Sequence, residues 1–183
     1  MAKPIIQIRM GSDSDRKQLD PAFNLLDKIQ VPYEERILSA HRTSDRMMHE
    51  AVLLEERGFR ACIAAAGGSA HLAGMTASET QVPTIAIPIY NEAFRGLDAL
   101  YSMINMPEGV PNGCVAPGQA ESAAILALQV AYQDNPTIRN RLREYRGIKQ
   151  PHDPKVRDLL VSILVPCGLE EKLSPVAKMS GML

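Results

Sequence analysis

An almost wholly apolar run, "ACIAAAGG" at residues 61–68, is the feature of this chain that most limits its fold. Such a run predicts a strand buried on both faces, because a strand with one wet face alternates apolar with polar residues. Further runs of strand character lie on either side of it, at 4–10, 33–40, 84–89 and 112–117. A doubly buried strand among these others favours a sheet that is covered by helices on both faces.

Segments of helical character separate the predicted strands, at 12–29, 44–58, 69–80, 96–106 and 121–133. This alternation predicts parallel strands that are joined by right-handed helical crossovers. We therefore predict a three-layer α/β fold with a flavodoxin-like parallel sheet of order 2-1-3-4-5. The second strand is the least apolar, which suits a position near the edge. Pro21 predicts a kink or a delayed start in the first helix.

The character of the chain changes after residue 134, where a polar helical segment begins. A length of 183 residues suits one domain with a sizeable core. We predict a flavodoxin-like catalytic domain over residues 1–134. A C-terminal helical extension over 135–183 follows it, and we expect this extension to pack on a neighbouring subunit.

Composition argues against several classes of partner. A net charge of −1 and an aromatic content of 4% disfavour a nucleic-acid partner. The segment "MAKPIIQIRMGS" lacks the apolar core of a signal peptide, and no run approaches the ~20 apolar residues that cross a bilayer. Cys62, Cys114 and Cys167 lack metal-ligand spacing, and we expect two buried strand thiols and one in the tail. These features predict a cytoplasmic protein without a membrane partner.

Three loops follow the first three predicted strands: "GSDSD" at 11–15, "SAHRT" at 39–43 and "AGGSAHLAG" at 66–74. In open parallel sheets, ligands bind beyond the carboxyl ends of the strands, where the strand order reverses. We therefore expect these loops to form one pocket.

The first two loops each allow a functional and a structural interpretation. "GSDSD" offers hydroxyls and the free N–H groups of a helix start, which favour phosphate. It lacks both the G-x-G-x-x-G spacing and the lysine of a Walker A loop, so a simple helix cap stays open. In "SAHRT", Arg42 can bind a phosphate or carboxylate in a fork, and His41 can carry a proton near neutral pH. The alternative there is a surface pair that caps the next helix.

The third loop places glycines around Ser69 and His71. Its backbone N–H groups could hold an anion, and the alternative is a tight turn of small residues against the sheet. His49 and His152 fit surface positions on a helix and in the tail. Together the three loops suit a small phosphorylated substrate and proton transfer without a cofactor or a metal.

Five segments carry a resemblance to a known family: "MGSDSD", "SAHRT", "AGGSAHLAGM", "GLDALYSMINMPEGVP" and "AAILALQ", in this order between residue 10 and about residue 130. The chain resembles carboxyaminoimidazole ribonucleotide mutase, the small catalytic subunit type of phosphoribosylaminoimidazole carboxylase in de novo purine (IMP) biosynthesis. The resemblance implies a cofactor-free isomerase that moves a carboxyl group from the exocyclic nitrogen to carbon 4 of aminoimidazole ribonucleotide, with CO2 as a bound intermediate. It also implies a homo-oligomer, usually an octamer.

The resemblance assigns a role to each loop. His41 matches the catalytic histidine of the family, and we take His71 as the second catalytic candidate. The implied contacts to the phosphate and the ribose are Ser12, Ser14, Asp15, Ser39 and Arg42. The loop that would enclose the carboxylate comprises Gly67, Gly68, Ser69, Ala70, His71 and Leu72.

Some residues depart from the family pattern, and two other functions stay open. Ser44, Ser69 and Ser122 stand where the family commonly has Pro, Ala and Asn, and Arg9 in the first strand is unexpected. A related branch carboxylates aminoimidazole ribonucleotide directly with CO2 and typically shows "SAHK", so Arg42 favours the mutase. A non-enzymatic flavodoxin-like nucleotide-binding module is the remaining alternative. A receiver of that kind needs an aspartate after strand three, where this chain has glycine.

Overall fold

Five parallel strands form one sheet in the order β2-β1-β3-β4-β5, in a computed structural model that describes residues 3–147. The strands are β1 Ile6–Met10, β2 Tyr33–Ile37, β3 Ala61–Ala66, β4 Thr84–Pro88 and β5 Gly113–Cys114. The helices of the described residues are α1 Arg16–Ile29, α2 Ser44–Glu56, α3 Leu72–Ala77, α4 Leu97–Ile104, α5 Ala120–Ala131 and α6 Pro136–Tyr145.

The predicted flavodoxin-like fold and its strand order are confirmed. All residues of β3 are buried, because helices cover both faces of the sheet at this strand. The strand is rich in alanine, and these small side chains let helices approach the sheet closely. β2 is half-buried and lies at the edge, as its polar sequence predicted.

α1 runs through Pro21, so the predicted delayed start at this residue is wrong, while the alternative of a kink stays a prediction. A 3-10 turn at Asp13–Asp15 precedes the helix, which then runs from Arg16 through Pro21 to Ile29. The proline lacks one helical N–H, but the helix buries Leu19, Phe23 and other apolar residues against the sheet side. This burial outweighs the lost hydrogen bond, since packing supplies most of the stability of protein helices.

Two other helices also differ from the predicted segments. α3 is shorter than 69–80, because the first residues of that segment form a loop. The N-cap of α2 is Thr43 and not the predicted Ser44. The buried face of this helix is also narrower than the predicted apolar side. Met48 and Val52 remain 37% and 49% exposed, respectively.

Residues up to Leu142 belong to the same compact unit as the sheet. Most of the predicted extension over 135–183 lies outside the described residues, as do His152 and Cys167. Its packing on a neighbouring subunit therefore stays a prediction. Across residues 3–147, no helix combines the length and the apolar character needed to span a membrane.

Candidate active site

A cleft of about 430 Å³ lies at the carboxyl ends of β1, β2 and β3, and all three predicted loops line it. The parallel register explains this convergence. Met10, the last residue of β1, pairs with Ile37 of β2 and with Ala65 of β3. The segments that follow these three strands therefore leave the sheet side by side, and the predicted shared pocket is present.

The loop after β1 presents a carboxylate and a hydroxyl to the cleft. Gly11 N–H donates to the carbonyl of Ala65 at 3.1 Å, which keeps the loop close to β3. Ser12 N–H donates to Asp15 Oδ2 at 3.1 Å, and Asp15 N–H donates to the Ser12 carbonyl at 3.2 Å. The Ser12 and Ser14 hydroxyls lie 2.7 Å apart. Ser12 and Asp15 line the cleft, whereas Ser14 reaches it only through Ser12.

The loop after β2 is organised around Ser39. Its carbonyl accepts hydrogen bonds from Thr43 N–H at 3.0 Å and Thr43 Oγ1 at 3.1 Å. Its hydroxyl accepts from Arg42 N–H at 3.2 Å. Thr43 occupies the N-cap of α2, so His41 and Arg42 do not cap this helix. Both of these side chains line the cleft.

The loop after β3 turns sharply at Gly68, which has φ 63°. This left-handed backbone is costly for residues with a Cβ. His71 N–H then donates to the Ser69 carbonyl at 3.0 Å, and His71 becomes the N-cap of α3. Gly67, Ser69, His71 and Leu72 line the cleft, as predicted.

Ser14, Gly68 and Ala70 were predicted to contact substrate but do not line the cleft. Ala70 is fully buried in the core, and Gly68 serves the turn. Three small residues of the predicted loops also line the cleft, although they were not among the predicted substrate contacts: Gly11, Ala40 and Ala66. Each is adjacent in sequence to a predicted contact residue, but adjacency does not show which side of a turn faces a cavity.

The two predicted catalytic histidines contact each other. His41 Nε2 lies 2.9 Å from His71 Nδ1, and the rings meet edge to face at 86°. One ring must donate and the other must accept, so their tautomers depend on each other. Arg42 provides a guanidinium and Asp15 a carboxylate in the same cleft. The arrangement can bind an anion and transfer a proton beside it.

The other titratable candidates lie apart from this cleft. Burial raises the pKa of the Cys62 thiol to about 11, and burial also raises the pKa of Cys114. Both thiols therefore stay protonated at neutral pH and are poor nucleophiles or metal ligands. Within residues 3–147, no group of three or more His, Cys, Asp or Glu side chains is arranged to hold a metal ion. His49 is exposed on α2.

A flavodoxin-like sheet whose strand ends carry an imidazole pair, a guanidinium and serine hydroxyls is typical of α/β enzymes that act on small anionic molecules. Comparison with known proteins gives the family. Residues 5–151 match the family model described as AIR carboxylase. The chain belongs to this family.

Curated relatives support the same assignment. An N5-carboxyaminoimidazole ribonucleotide mutase from Pyrococcus horikoshii is 44% identical over 86% of this chain and 89% of its own length. A phosphoribosylaminoimidazole carboxylase from Schizosaccharomyces pombe is also 44% identical, but over 74% of this chain and 24% of that longer protein. The crystal structure of Treponema denticola PurE covers 93% of this chain and 99% of its own, with a TM-score of 0.70 and 25% identity.

The backbone at Gly68 generates a stability prediction. A Cβ added there would meet nothing within 4 Å, so any cost of substitution is conformational. We expect Gly68→Val to lower the free energy of unfolding by about 1–2 kcal/mol. Gly68→Asn should cost clearly less, because asparagine tolerates the left-handed region. Urea denaturation at matched protein concentration measures both, and equal losses would contradict this explanation.

Proposed function

We propose that this protein is an isomerase of de novo purine (IMP) biosynthesis, a carboxyaminoimidazole ribonucleotide mutase. It would move a carboxyl group from the exocyclic nitrogen to carbon 4 of aminoimidazole ribonucleotide. The observation that carries the proposal is the 2.9 Å contact between His41 and His71 in a cleft that also contains Arg42. The mutase relatives, which match most of this chain, support the same reaction.

Binding of the phosphate and ribose is assigned to the first two loops. Arg42 and the hydroxyls of Ser12 and Ser39 provide donors for the phosphate. Asp15 cannot donate as a carboxylate and would repel the phosphate, so we assign it to the ribose hydroxyls. Ser14 would act by orienting the hydroxyl of Ser12, which it contacts at 2.7 Å.

Proton transfer is assigned to the histidine pair. His41 protonates the carbamate nitrogen as the N–C bond breaks and CO2 leaves. Carbon 4 then attacks CO2, and the same imidazole removes the proton from that carbon. One proton is given and one is recovered, so His41 returns to its starting state. His71 contacts His41 directly and would hold it in the tautomer that each step requires.

The intermediate CO2 must stay next to carbon 4 for this course to work. The backbone N–H groups of Gly67 and Ser69, which line the cleft, are the donors that would steady its oxygens. Ala40, Ala66 and Leu72 add apolar surface to the same cleft. Holding the two reactants together replaces a bimolecular encounter with a unimolecular step. The proposed reaction therefore needs no cofactor.

Direct carboxylation of aminoimidazole ribonucleotide with CO2 is the second candidate, because relatives named phosphoribosylaminoimidazole carboxylase are 41–44% identical to this chain. It would use the same cleft and the same proton acceptor. The candidates differ in whether the carboxyl group arrives on the substrate or as free CO2.

We also propose that the protein is a cytoplasmic homo-oligomer, with the octamer as the expected form. An apolar stripe supports assembly: Phe94, Leu97, Tyr101 and Ile104 are 62%, 49%, 65% and 53% exposed. Their spacing of three and four residues places the helical members on one side of α4. An exposed apolar patch of this kind more often marks a contact surface for another protein than a surface that stays in water.

Two substrates separate the candidate reactions. Purified protein should convert the carbamate, N5-carboxyaminoimidazole ribonucleotide, without added bicarbonate. It should act more slowly on aminoimidazole ribonucleotide with bicarbonate. The ultraviolet absorbance of the carbon-4 carboxylated product follows both reactions. If the protein converts aminoimidazole ribonucleotide and bicarbonate faster than the carbamate, the carboxylase is favoured. If it converts neither substrate, the proposed function is wrong.

His41→Asn tests the assigned acid and base. We expect kcat to fall by about 10²-fold or more while KM changes little, because Asn keeps a polar side chain but carries no titratable proton. Steady-state kinetics with the carbamate measure both constants. His49→Asn is the matched control, since His49 is exposed on α2. A kcat near the wild-type value in His41→Asn would remove this residue from the mechanism.

Tyr101→Glu tests the assembly surface. A charge at this 65% exposed position should oppose apolar association and lower the molar mass in solution. Light scattering after size-exclusion chromatography gives the mass, and Lys17→Glu on the exposed side of α1 is the control. A monomeric wild type, or an unchanged mass in Tyr101→Glu, would contradict the role of this stripe.

A further inference from the structure

Arg9 is a fully buried arginine on β1, an interior strand that lies between β2 and β3. Its guanidinium makes hydrogen bonds to Gln7, to α2 and to α3. All of these acceptors are neutral. Burial lowers the pKa of Arg9, but an arginine side chain stays charged in proteins. A buried cation without a contacting carboxylate is costly, so its hydrogen bonds must all be well made.

Two of these bonds go to α2, the helix that follows His41. Arg9 Nη2 donates to the Glu50 carbonyl at 2.6 Å, and Nη1 donates to the Met47 carbonyl at 3.4 Å. Met47 N–H in turn donates to the Thr43 carbonyl at 2.9 Å. Thr43 is bonded through its own N–H to Ser39, at the start of the His41 loop.

Another bond goes to α3, the helix that begins after His71. Arg9 Nη1 donates to Thr76 Oγ1 at 3.3 Å, and Thr76 is fully buried. Its neighbour Met75 donates its N–H to the His71 carbonyl at 2.9 Å. One guanidinium therefore joins the two helices that directly follow the loops carrying the two histidines.

The guanidinium is itself held in place. Arg9 Nε donates to Gln7 Oε1 at 2.6 Å, and Gln7 Nε2 donates to Glu34 Oε1 at 2.7 Å. Glu34 is also paired with Arg57 at the end of α2. The planar fork of arginine can satisfy several acceptors at fixed angles, which a lysine ammonium cannot do.

We propose that Arg9 is a positioning residue that sets the distance between α2 and α3, and with it the hydrogen bond between His41 and His71. An apolar side chain would fill this strand position without the cost of burying a charge. The arginine is therefore better explained by the geometry that it imposes than by stability alone. Its effect on turnover rests on the proposed function of the cleft, whereas its effect on the histidine contact does not.

Thr76→Val is the sharpest test, because it removes the hydroxyl acceptor and keeps the side-chain shape. We expect kcat with the carbamate substrate to fall by about tenfold, since small displacements of catalytic groups have large effects. KM should change less than about twofold, because the phosphate contacts belong to other loops. Thr76→Ser retains the hydroxyl and should restore kcat.

Thr84→Val is the matched control for losing a buried hydroxyl. Thr84 is 4% exposed, and its hydroxyl donates to the nearby Val82 carbonyl. It begins β4, so it lies at the amino end of the strands, whereas the cleft lies at their carboxyl ends. Its removal should leave kcat unchanged. Arg9→Lys keeps the charge and loses the fork, so it should behave like Thr76→Val in kcat and in the histidine contact.

Nitrogen-15 spectra of labelled histidines provide a readout that is independent of activity. The chain has four histidines, so the signals are few. In the wild type, the 2.9 Å contact should give His41 and His71 defined tautomers. In Thr76→Val these signals should move toward those of exposed His49, and in Thr84→Val they should not.

The results separate this proposal from the proposed function. A wild type without mutase or carboxylase activity, whose histidine signals still change in Thr76→Val, would overturn the function and support the role of Arg9. An active wild type with unchanged kcat and unchanged histidine signals in both Thr76→Val and Arg9→Lys would overturn the role of Arg9 alone.

Discussion

The parallel pairing of β1 with β2 and with β3 is the constraint on which the candidate site depends. It brings Met10, Ile37 and Ala65 level with one another, so that three loops distant in sequence begin at neighbouring points. A slip in either pairing would separate the loops by several ångströms, since each residue advances a strand by about 3.3 Å. Pairing through the backbone thus fixes the points at which the three loops of the candidate site begin.

Much of the fold could be predicted because its strongest signals are local. The apolar run that became β3 is typical of a strand covered on both faces, and the polar character of β2 indicated the edge. The delayed start expected at Pro21 was wrong because the local cost of proline is visible in the sequence, whereas the burial of Leu19 and Phe23 that offsets it is not. Thr43 and Ser44 are both good caps, and only the path of the Ser39 turn decides between them.

The candidate site could be predicted at the level of loops but not of individual atoms. Placing His41 and His71 after the carboxyl ends of β2 and β3, on either side of β1, followed from topology. Their 2.9 Å contact, however, depends on how α2 and α3 lie against β1. Arg9 controls that packing through acceptors in the first half of α2 and in α3. An arginine inside the first strand is unexpected and can be noticed in the sequence. Its hydrogen-bond acceptors on α2 and α3 are backbone carbonyls and a hydroxyl, which no sequence pattern identifies.

The charged outer strand of the sheet has a consequence for how copies of the chain can meet. β2 carries Glu34, Glu35 and Arg36 in succession, and Glu35 is engaged by Arg16 at 2.8 Å. An incoming strand would have to strip these groups of water and break their ion pairs before it could add to the ladder. This edge of the sheet is thereby protected from strand-by-strand growth into fibres.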